Sequence, residues 1–318
     1  MKEVLFLILG IAGLLLAAEV LIRSLQIIAH RKGISETFLG LTVLSIGTSF
    51  PEIGTHILAS IDILRGMPAS GIAVGANIGS NLMQITLILG LTAFFMHVYA
   101  DKKFLKQDYA VMLGSILLIF VMSINGWISR VEGIILVVLY IIYLRSLGKQ
   151  EHFVREVEYH PRKEGGLAKY YLLTIVGLIF LWFTANLVVG SAVTISQVFN
   201  IEGSLIGALV IGFGTALPEF VTAMTALKKK SEGMSLGVLV GSNITNPLLG
   251  IGIGAAISGY VIDKHILWFD LPAWFFVSLL ALFFFIRKGH ITKKEATVMM
   301  ASYFVYILLR LKVTGVLL

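Results

Sequence analysis

The sequence predicts an all-α polytopic membrane protein, with ten transmembrane helices arranged as two inverted five-helix repeats. Three observations carry that prediction: an apolar composition, a series of membrane-length apolar segments, and an internal duplication. Of 318 residues, 57% are apolar and 14% charged, and the mean hydropathy is +0.92. Soluble domains carry roughly 25% charged residues. A soluble fold of this size has too little interior to hide so much apolar surface, so lipid is the expected solvent. Cysteine is absent, which excludes a disulfide scaffold, a thiolate metal site and a cysteine nucleophile.

Apolar segments of about 20 residues, each able to cross ~30 Å of hydrocarbon as a helix, cover residues 3–28, 35–63, 69–97, 108–125, 127–146, 169–198, 204–227, 233–260, 267–286 and 295–315. The first is preceded only by Met1-Lys2-Glu3 and has no small-x-small cleavage site, so it reads as a span rather than a signal peptide. Ten crossings place 18 of the 25 basic residues on one side of the membrane, in the connections around Arg31, Lys102, Arg145 to Lys169, Lys228 to Lys230, and Arg287 to Lys294. The other side receives Lys2, Arg65, Arg130, Lys264, Arg310 and Lys312, and Arg23 lies within the first span. The positive-inside rule then makes the basic connections cytoplasmic and both termini extracytoplasmic, in a multi-pass protein of the cell membrane. The net charge of +7 is thereby explained as topology, and nucleic acid is not an expected partner.

The duplication is explicit. Gly40 to Glu52 (GLTVLSIGTSFPE) in the second span recurs as Gly207 to Glu219 (GALVIGFGTALPE) in the seventh, and Gly79-Ser80-Asn81 in the third recurs as Gly241-Ser242-Asn243 in the eighth. The division is residues 1–146 as the first five-helix repeat, 147–168 as a mixed-charge cytoplasmic linker, and 169–318 as the second repeat. Five is odd, so the second repeat enters from the opposite side, an inverted arrangement common among secondary transporters.

Glu52 and Glu219 lie deep in apolar spans, where an ionised carboxylate costs at least ~2.5 kcal/mol. Two carboxylates brought together repel unless a cation sits between them, and a divalent ion neutralises the pair. Pro51 and Pro218 precede them and free the carbonyls of Gly47 and Gly214, so both helices are expected to break where they carry the acid. Thr48 and Glu52 share a helix face, as do Thr215 and Glu219, Ser80 and Gln84, and Ser242 and Asn246. Spans 2, 3, 7 and 8 thus each present an oxygen-rich stripe as an ion-binding core. Hydroxyl, amide and carboxylate oxygens suit calcium or alkali ions better than zinc or copper. Asn81 and Asn243 read equally as interhelical hydrogen bonders, and Ser80 or Ser242 alone as helix-packing residues. Glu19 is expected to pair with Arg23 one turn on, Asp270 to act as an interfacial or capping group, and Lys228 to Lys230 to stop the seventh span.

On these motifs the sequence resembles the cation/calcium exchanger superfamily, most closely its prokaryotic sodium/calcium exchanger branch. Gly47 to Glu52 and Gly214 to Glu219 are similar to the paired signature of its two alpha repeats, with Gly79 to Asn81 and Gly241 to Asn243 as their second halves. The resemblance implies calcium at Glu52 and Glu219 with backbone oxygens of Thr48 and Thr215. It implies sodium at Ser80, Ser242 and the carbonyls of Ser45 and Gly212, with Ser49, Asn81, Gln84, Asn243 and Asn246 lining the site. It also implies that the first and sixth spans slide across the other eight. Typical sodium/calcium exchangers carry Asp at the position of Asn246, Asn at that of Gln84 and Ser at that of Ala216. The amide pair is instead similar to proton-coupled calcium exchangers.

The expected function is therefore secondary-active antiport of calcium against sodium by alternating access, with calcium/proton antiport as the alternative. An intramembrane enzyme is the remote option, since the sequence has no Asp-rich motif, no His-Glu-x-x-His and no Gly-x-Ser-x-Gly. No cofactor is expected beyond the transported ions, and no partner beyond the lipid bilayer; the protein is expected to be a monomer.

Overall fold

The computed structural model describes residues 2–96, 98–151, 166–198 and 212–313. These form helices α1 (Lys2–Lys32), α2 (Glu36–Thr48), α3 (Phe50–Leu64), α4 (Ser70–Phe95), α5 (Lys102–Ser123), α6 (Arg130–Glu151), α7 (Leu167–Val198), α8 (Gly212–Lys228), α9 (Glu232–Ser258), α10 (Ile266–Lys288) and α11 (Lys293–Val313). Two short strands, β1 (Trp127–Ile128) and β2 (Tyr260–Val261), pair antiparallel. Among the described residues eight helices, all but α2, α3 and α8, are long and apolar enough to cross a membrane. The beginning of the predicted seventh span, 204–211, and most of the predicted linker, 152–165, lie outside the described residues.

Local sequence sets the helix ends. Ser35 Oγ accepts the Phe38 N–H at 3.1 Å to start α2, and Asp101 Oδ1 accepts the Phe104 N–H at 2.7 Å to start α5. Reciprocal capping boxes open α6 and α11: Glu132 accepts from the Ser129 N–H at 2.7 Å, and Glu295 from the Thr292 N–H at 2.9 Å. The apolar residues α6 and α7 leave exposed, among them Val131, Ile134, Val138, Leu172, Ile175 and Phe183, form faces suited to lipid rather than water.

The proline expectation holds in one copy and not in the other. α2 ends at Thr48, Ser49 leaves helical geometry (φ −81°, ψ 2°), and α3 begins at Phe50 with Pro51 in its first turn, where a missing N–H has no bond to lose. α8, in contrast, runs unbroken through Pro218. One lost bond to the Gly214 carbonyl leaves the flanking turns intact, and membrane helices tolerate such a gap.

The chain divides into two compact units, each drawing on both halves of the sequence. The first holds Met1–Pro51 and Ile141–Gly241. There α1 packs along α7 and α8, and Glu19 pairs with Arg23 at 2.9 Å and also with Lys229, which follows α8. α2 crosses the first part of α9 at glycines: a Cβ added at Gly40 would lie 2.8 Å from the Met234 carbonyl oxygen, and one at Gly237 would lie 2.9 Å from Gly40 Cα.

The second unit holds Glu52–Tyr140 and Ser242–Leu318. α4 packs against the later part of α9, α10 and α11, and α6 meets α9 at Gly133, where an added Cβ would lie 2.3 Å from the Ala256 nitrogen. Of the two roles expected for Asp270, interfacial or capping, the capping one does not occur: its side chain makes no cap hydrogen bond, is 1% exposed, and accepts from Arg310 Nε at 3.0 Å and Tyr306 OH at 2.8 Å. Burial of the carboxylate demands a charge partner, which α11 supplies. Turns of π-helix interrupt α2, α4, α5, α9 and α10 at Gly40–Leu44, Gln84–Ile88, Leu105–Tyr109, Asn246–Ile251 and Ile266–Asp270.

Gly133→Val forces side-chain atoms into the α9 backbone and is expected to destabilise the protein by about 3 kcal/mol, read as thermal unfolding in detergent. Gly114→Ala, where an added Cβ meets nothing within 4 Å, is expected to be neutral or stabilising by up to about 1 kcal/mol.

Candidate cation site

The second unit gathers most of the polar residues the sequence singles out. α3 contributes Glu52, 4% exposed; α4 contributes Ser80, Asn81 and Gln84, and α9 contributes Ser242, Asn243 and Asn246, all fully buried. Hydrogen bonds join them in two relays. In the first, Trp274 Nε1 of α10 donates to Asn243 Oδ1 at 2.9 Å, Asn243 Nδ2 to Gln84 Oε1 at 2.9 Å, Gln84 Nε2 to Ser80 Oγ at 3.3 Å, and Ser80 Oγ to Glu52 Oε1 at 3.3 Å. An indole N–H can only donate, so Trp274 fixes the orientation of the Asn243 and Gln84 amides that follow. The relay ends on the Glu52 carboxylate, to which Ser80 Oγ is the donor.

In the second relay Asn246 Nδ2 donates to Asn81 Oδ1 at 2.9 Å and Asn81 Nδ2 to Asn77 Oδ1 at 3.0 Å. Asn77 Nδ2 reaches both the Asn246 carbonyl at 3.1 Å and His56 Nε2 at 2.9 Å, and His56 Nδ1 lies 3.0 Å from Tyr260 OH. The π-helical turns of α4 and α9 begin at Gln84 and Asn246 themselves, so each helix changes face where it presents its amide.

The remaining predicted residues belong to the first unit. Ser45, Thr48 and Ser49 end α2; Gly212, Thr215 and Glu219 lie on α8, against which the last turn of α2 packs. Thr48, Ser49 and Glu219 are fully buried and Thr215 is 8% exposed. The Ser45 carbonyl accepts the Ser49 N–H at 3.1 Å, and Ser49 Oγ is buried with no hydrogen-bond partner among the described residues. Carboxylate, amide, hydroxyl and carbonyl oxygens are the donors of a hard-cation site. Among the described residues no three His, Asp or Glu side chains cluster as a metal site.

Sequence reading misses His56, Asn77, Tyr260 and Trp274. His56 stands one turn after Glu52 and Asn77 one turn before Asn81, which was the available signal; nothing in the sequence points to Trp274 or Tyr260.

The family model for sodium/calcium exchanger protein matches residues 2–147 and 169–312. The chain belongs to this family. An uncharacterized membrane protein of Methanocaldococcus jannaschii is 32% identical over 304 residues, covering 95% of this chain and 96% of the relative. The sodium/calcium exchanger MaX1 of Methanosarcina acetivorans is 28% identical, with 95% and 97% covered, and the inner membrane protein YrbG of Escherichia coli is 30% identical, with 81% and 80% covered. A solved structure of the sodium-calcium exchanger NCX_Mj, soaked with sodium and calcium, superposes with a TM-score of 0.82 at 29% identity over 96% of this chain and 98% of that one. This exchanger-family chain is a mostly helical, multi-pass membrane protein of the cation/calcium antiport class, not an enzyme.

Trp274→Phe keeps the ring and removes the N–H that anchors the first relay. It leaves Asn243 Oδ1 with a lost bond in a dry interior, at an expected cost of about 1–3 kcal/mol, measured as a fall in unfolding temperature in detergent.

Proposed function

We propose that this protein is a secondary-active antiporter that exchanges calcium for sodium by alternating access at a centre built on Glu52 and Glu219. The observation that carries the reading is the burial of one carboxylate at the same place in each copy of the duplicated motif, Glu52 at 4% and Glu219 at 0% exposure, in a chain matched along both halves by the exchanger family. Calcium takes the two carboxylates with backbone oxygens of Thr48 and Thr215. Sodium takes Ser80, Ser242 and the carbonyls of Ser45 and Gly212, with Ser49, Asn81, Gln84, Asn243 and Asn246 lining the site. Two carboxylates balance one divalent ion, and a flexible set of neutral oxygens completes its shell without the strict octahedron magnesium demands.

The architecture proposed is ten spans in two inverted repeats, 1–146 and 169–318, joined by a cytoplasmic linker at 147–168, with both termini outside the cell membrane and a monomeric state. Reciprocal contacts within the second unit support the two-fold relation of the repeats. In a two-fold arrangement a contact between i and j is repeated between their equivalents with the roles exchanged. Between residues offset by 162 or 163 in the sequence, three such pairs occur. Tyr99 bridges His290 as Trp127 pairs with Val261. Asn246 donates to Asn81 as Asn243 is joined to Gln84. The close approach of Gly90 to Ala296 is matched by that of Gly252 to Gly133, and a local motif also recurs, the Ser129–Glu132 capping box as Thr292–Glu295.

Calcium/proton antiport is the second reading, favoured by the amides at Gln84 and Asn246. Radioactive calcium uptake into proteoliposomes separates the two: sodium coupling predicts uptake under an imposed sodium gradient, and uptake under a pH gradient alone would assign the proton. Glu52→Gln and Glu219→Gln are each expected to abolish calcium flux while eluting as folded, monodisperse protein; wild-type flux in either would remove the two-carboxylate site.

A further inference from the structure

The second relay contains a deduction that does not depend on how any amide is drawn. A backbone carbonyl can only accept. The Asn77 side-chain atom 3.1 Å from the Asn246 carbonyl is therefore its nitrogen, and the other Asn77 atom is its oxygen. That oxygen, 3.0 Å from Asn81, fixes the Asn81 atom facing it as nitrogen and leaves the Asn81 oxygen for Asn246. At 2.9 Å the Asn246 atom turned to Asn81 is accordingly its nitrogen. Asn246 Oδ1 is left over, buried, with no hydrogen-bond partner among the described residues. Leaving a buried acceptor unsatisfied is costly, a cost that a bound cation would relieve.

The same anchor determines His56. Asn77 Nδ2 donates to the Asn246 carbonyl and, through its second hydrogen, to His56 Nε2 at 2.9 Å. His56 Nε2 thus has to be an unprotonated acceptor, and the ring is neutral with its proton on Nδ1, directed to Tyr260 OH at 3.0 Å. Tyr260 OH in turn donates to the His56 carbonyl at 3.1 Å. The groups facing the ring are Tyr260 from β2, Asn77 from α4 and Gly250 from the π-helical turn of α9; the carboxylate nearest in its own helix is Glu52, one turn earlier. A second proton on His56 would set two donors against each other at Nε2. Turning Asn77 over to accept that proton would set two oxygens against each other at the Asn246 carbonyl.

We propose that Asn77 and His56 are positioning residues for the transported cation: Asn77, anchored on the Asn246 carbonyl, turns the Asn246 carboxamide so that Oδ1 is presented as a neutral ligand, and His56, held neutral, closes the relay. The proposal rests on the exchanger reading above and adds to it what orients an oxygen that the family places as a carboxylate. Asn77 and His56 touch no ion; they act through Asn81 and Asn246. The equivalents of both in the other repeat are apolar, Leu239 and Ala223, so the device serves one copy alone.

Two measurements on the full chain test it. In wild-type protein with nitrogen-15 histidine, the signal that His56→Gln removes is expected to show the neutral Nδ1–H tautomer unchanged from about pH 5.5 to about pH 8.5. An Nε2–H tautomer, or titration within that range, overturns the proposal without reference to transport. In proteoliposomes Asn77→Leu and His56→Leu are each expected to raise the half-saturating calcium concentration by about tenfold with maximal flux within about twofold of wild type. His56→Gln, whose Oε1 accepts where Nε2 does, is expected to restore the wild-type value. Wild-type half-saturation in both leucine variants overturns the proposal alone; absence of calcium flux in the wild type overturns the exchanger reading and the proposal with it.

Discussion

A polar group buried in a membrane protein has no water to fall back on, and this constraint organises the centre of the second unit. Five side-chain amides, from Asn77, Asn81, Gln84, Asn243 and Asn246, lie between α4 and α9 with 2% exposure or less. Each amide carries a donor end and an acceptor end, so fixing one fixes its neighbour. Two groups with no choice set the direction: the Trp274 N–H, which only donates, and the Asn246 carbonyl, which only accepts. One relay delivers a donor to Glu52 and the other leaves an acceptor at Asn246. A carboxylate and an unsatisfied oxygen thus lie in the same unit.

This gives a physical meaning to the amide at position 246. A carboxylate there would add a second negative charge to the buried cluster that already holds Glu52, and like charges brought together repel. An amide supplies the oxygen without the charge. It also cannot rotate freely, because its nitrogen is committed to Asn81. Close helix crossings within each unit rest on small residues. Glycines at Gly40 with Gly237, and at Gly133 with Gly252, let backbones approach to distances at which side chains would clash, and small residues are what membrane helices use to pack tightly.

How much of this was legible in the sequence depends on the kind of signal. Long apolar segments and loop charges foretell the helices of the second unit to within a few residues, as with Ser70–Phe95 against 69–97 and Ile266–Lys288 against 267–286, because burial in lipid is a property of composition summed over a whole turn-count. The repeat made Glu52, Ser80, Asn81, Gln84, Asn243 and Asn246 visible together. It did not foretell that Pro218 leaves α8 intact while Ser49 breaks the other copy, since the two motifs differ by little and the outcome depends on what surrounds each helix. That Asp270 pairs rather than caps is invisible in the sequence because its partner Arg310 is forty residues away, on a different helix. His56, Asn77, Tyr260 and Trp274 were missed for the same reason: a lone polar residue on an apolar helix reveals nothing about its partner until the helices are packed.

The central claim, that a cation is held by Glu52 and by the oxygen of a fixed Asn246 amide, is open to one direct measurement. Crystals soaked with strontium and measured at its absorption edge would locate the ion independently of any assumption about ligands. The account predicts an anomalous peak at coordination distance, about 2.3–2.6 Å for calcium and slightly longer for strontium, from the carboxylate of Glu52, with Asn246 Oδ1 turned toward the ion and its nitrogen on Asn81. A peak that touches neither residue, or an Asn246 whose nitrogen faces the ion, would contradict it.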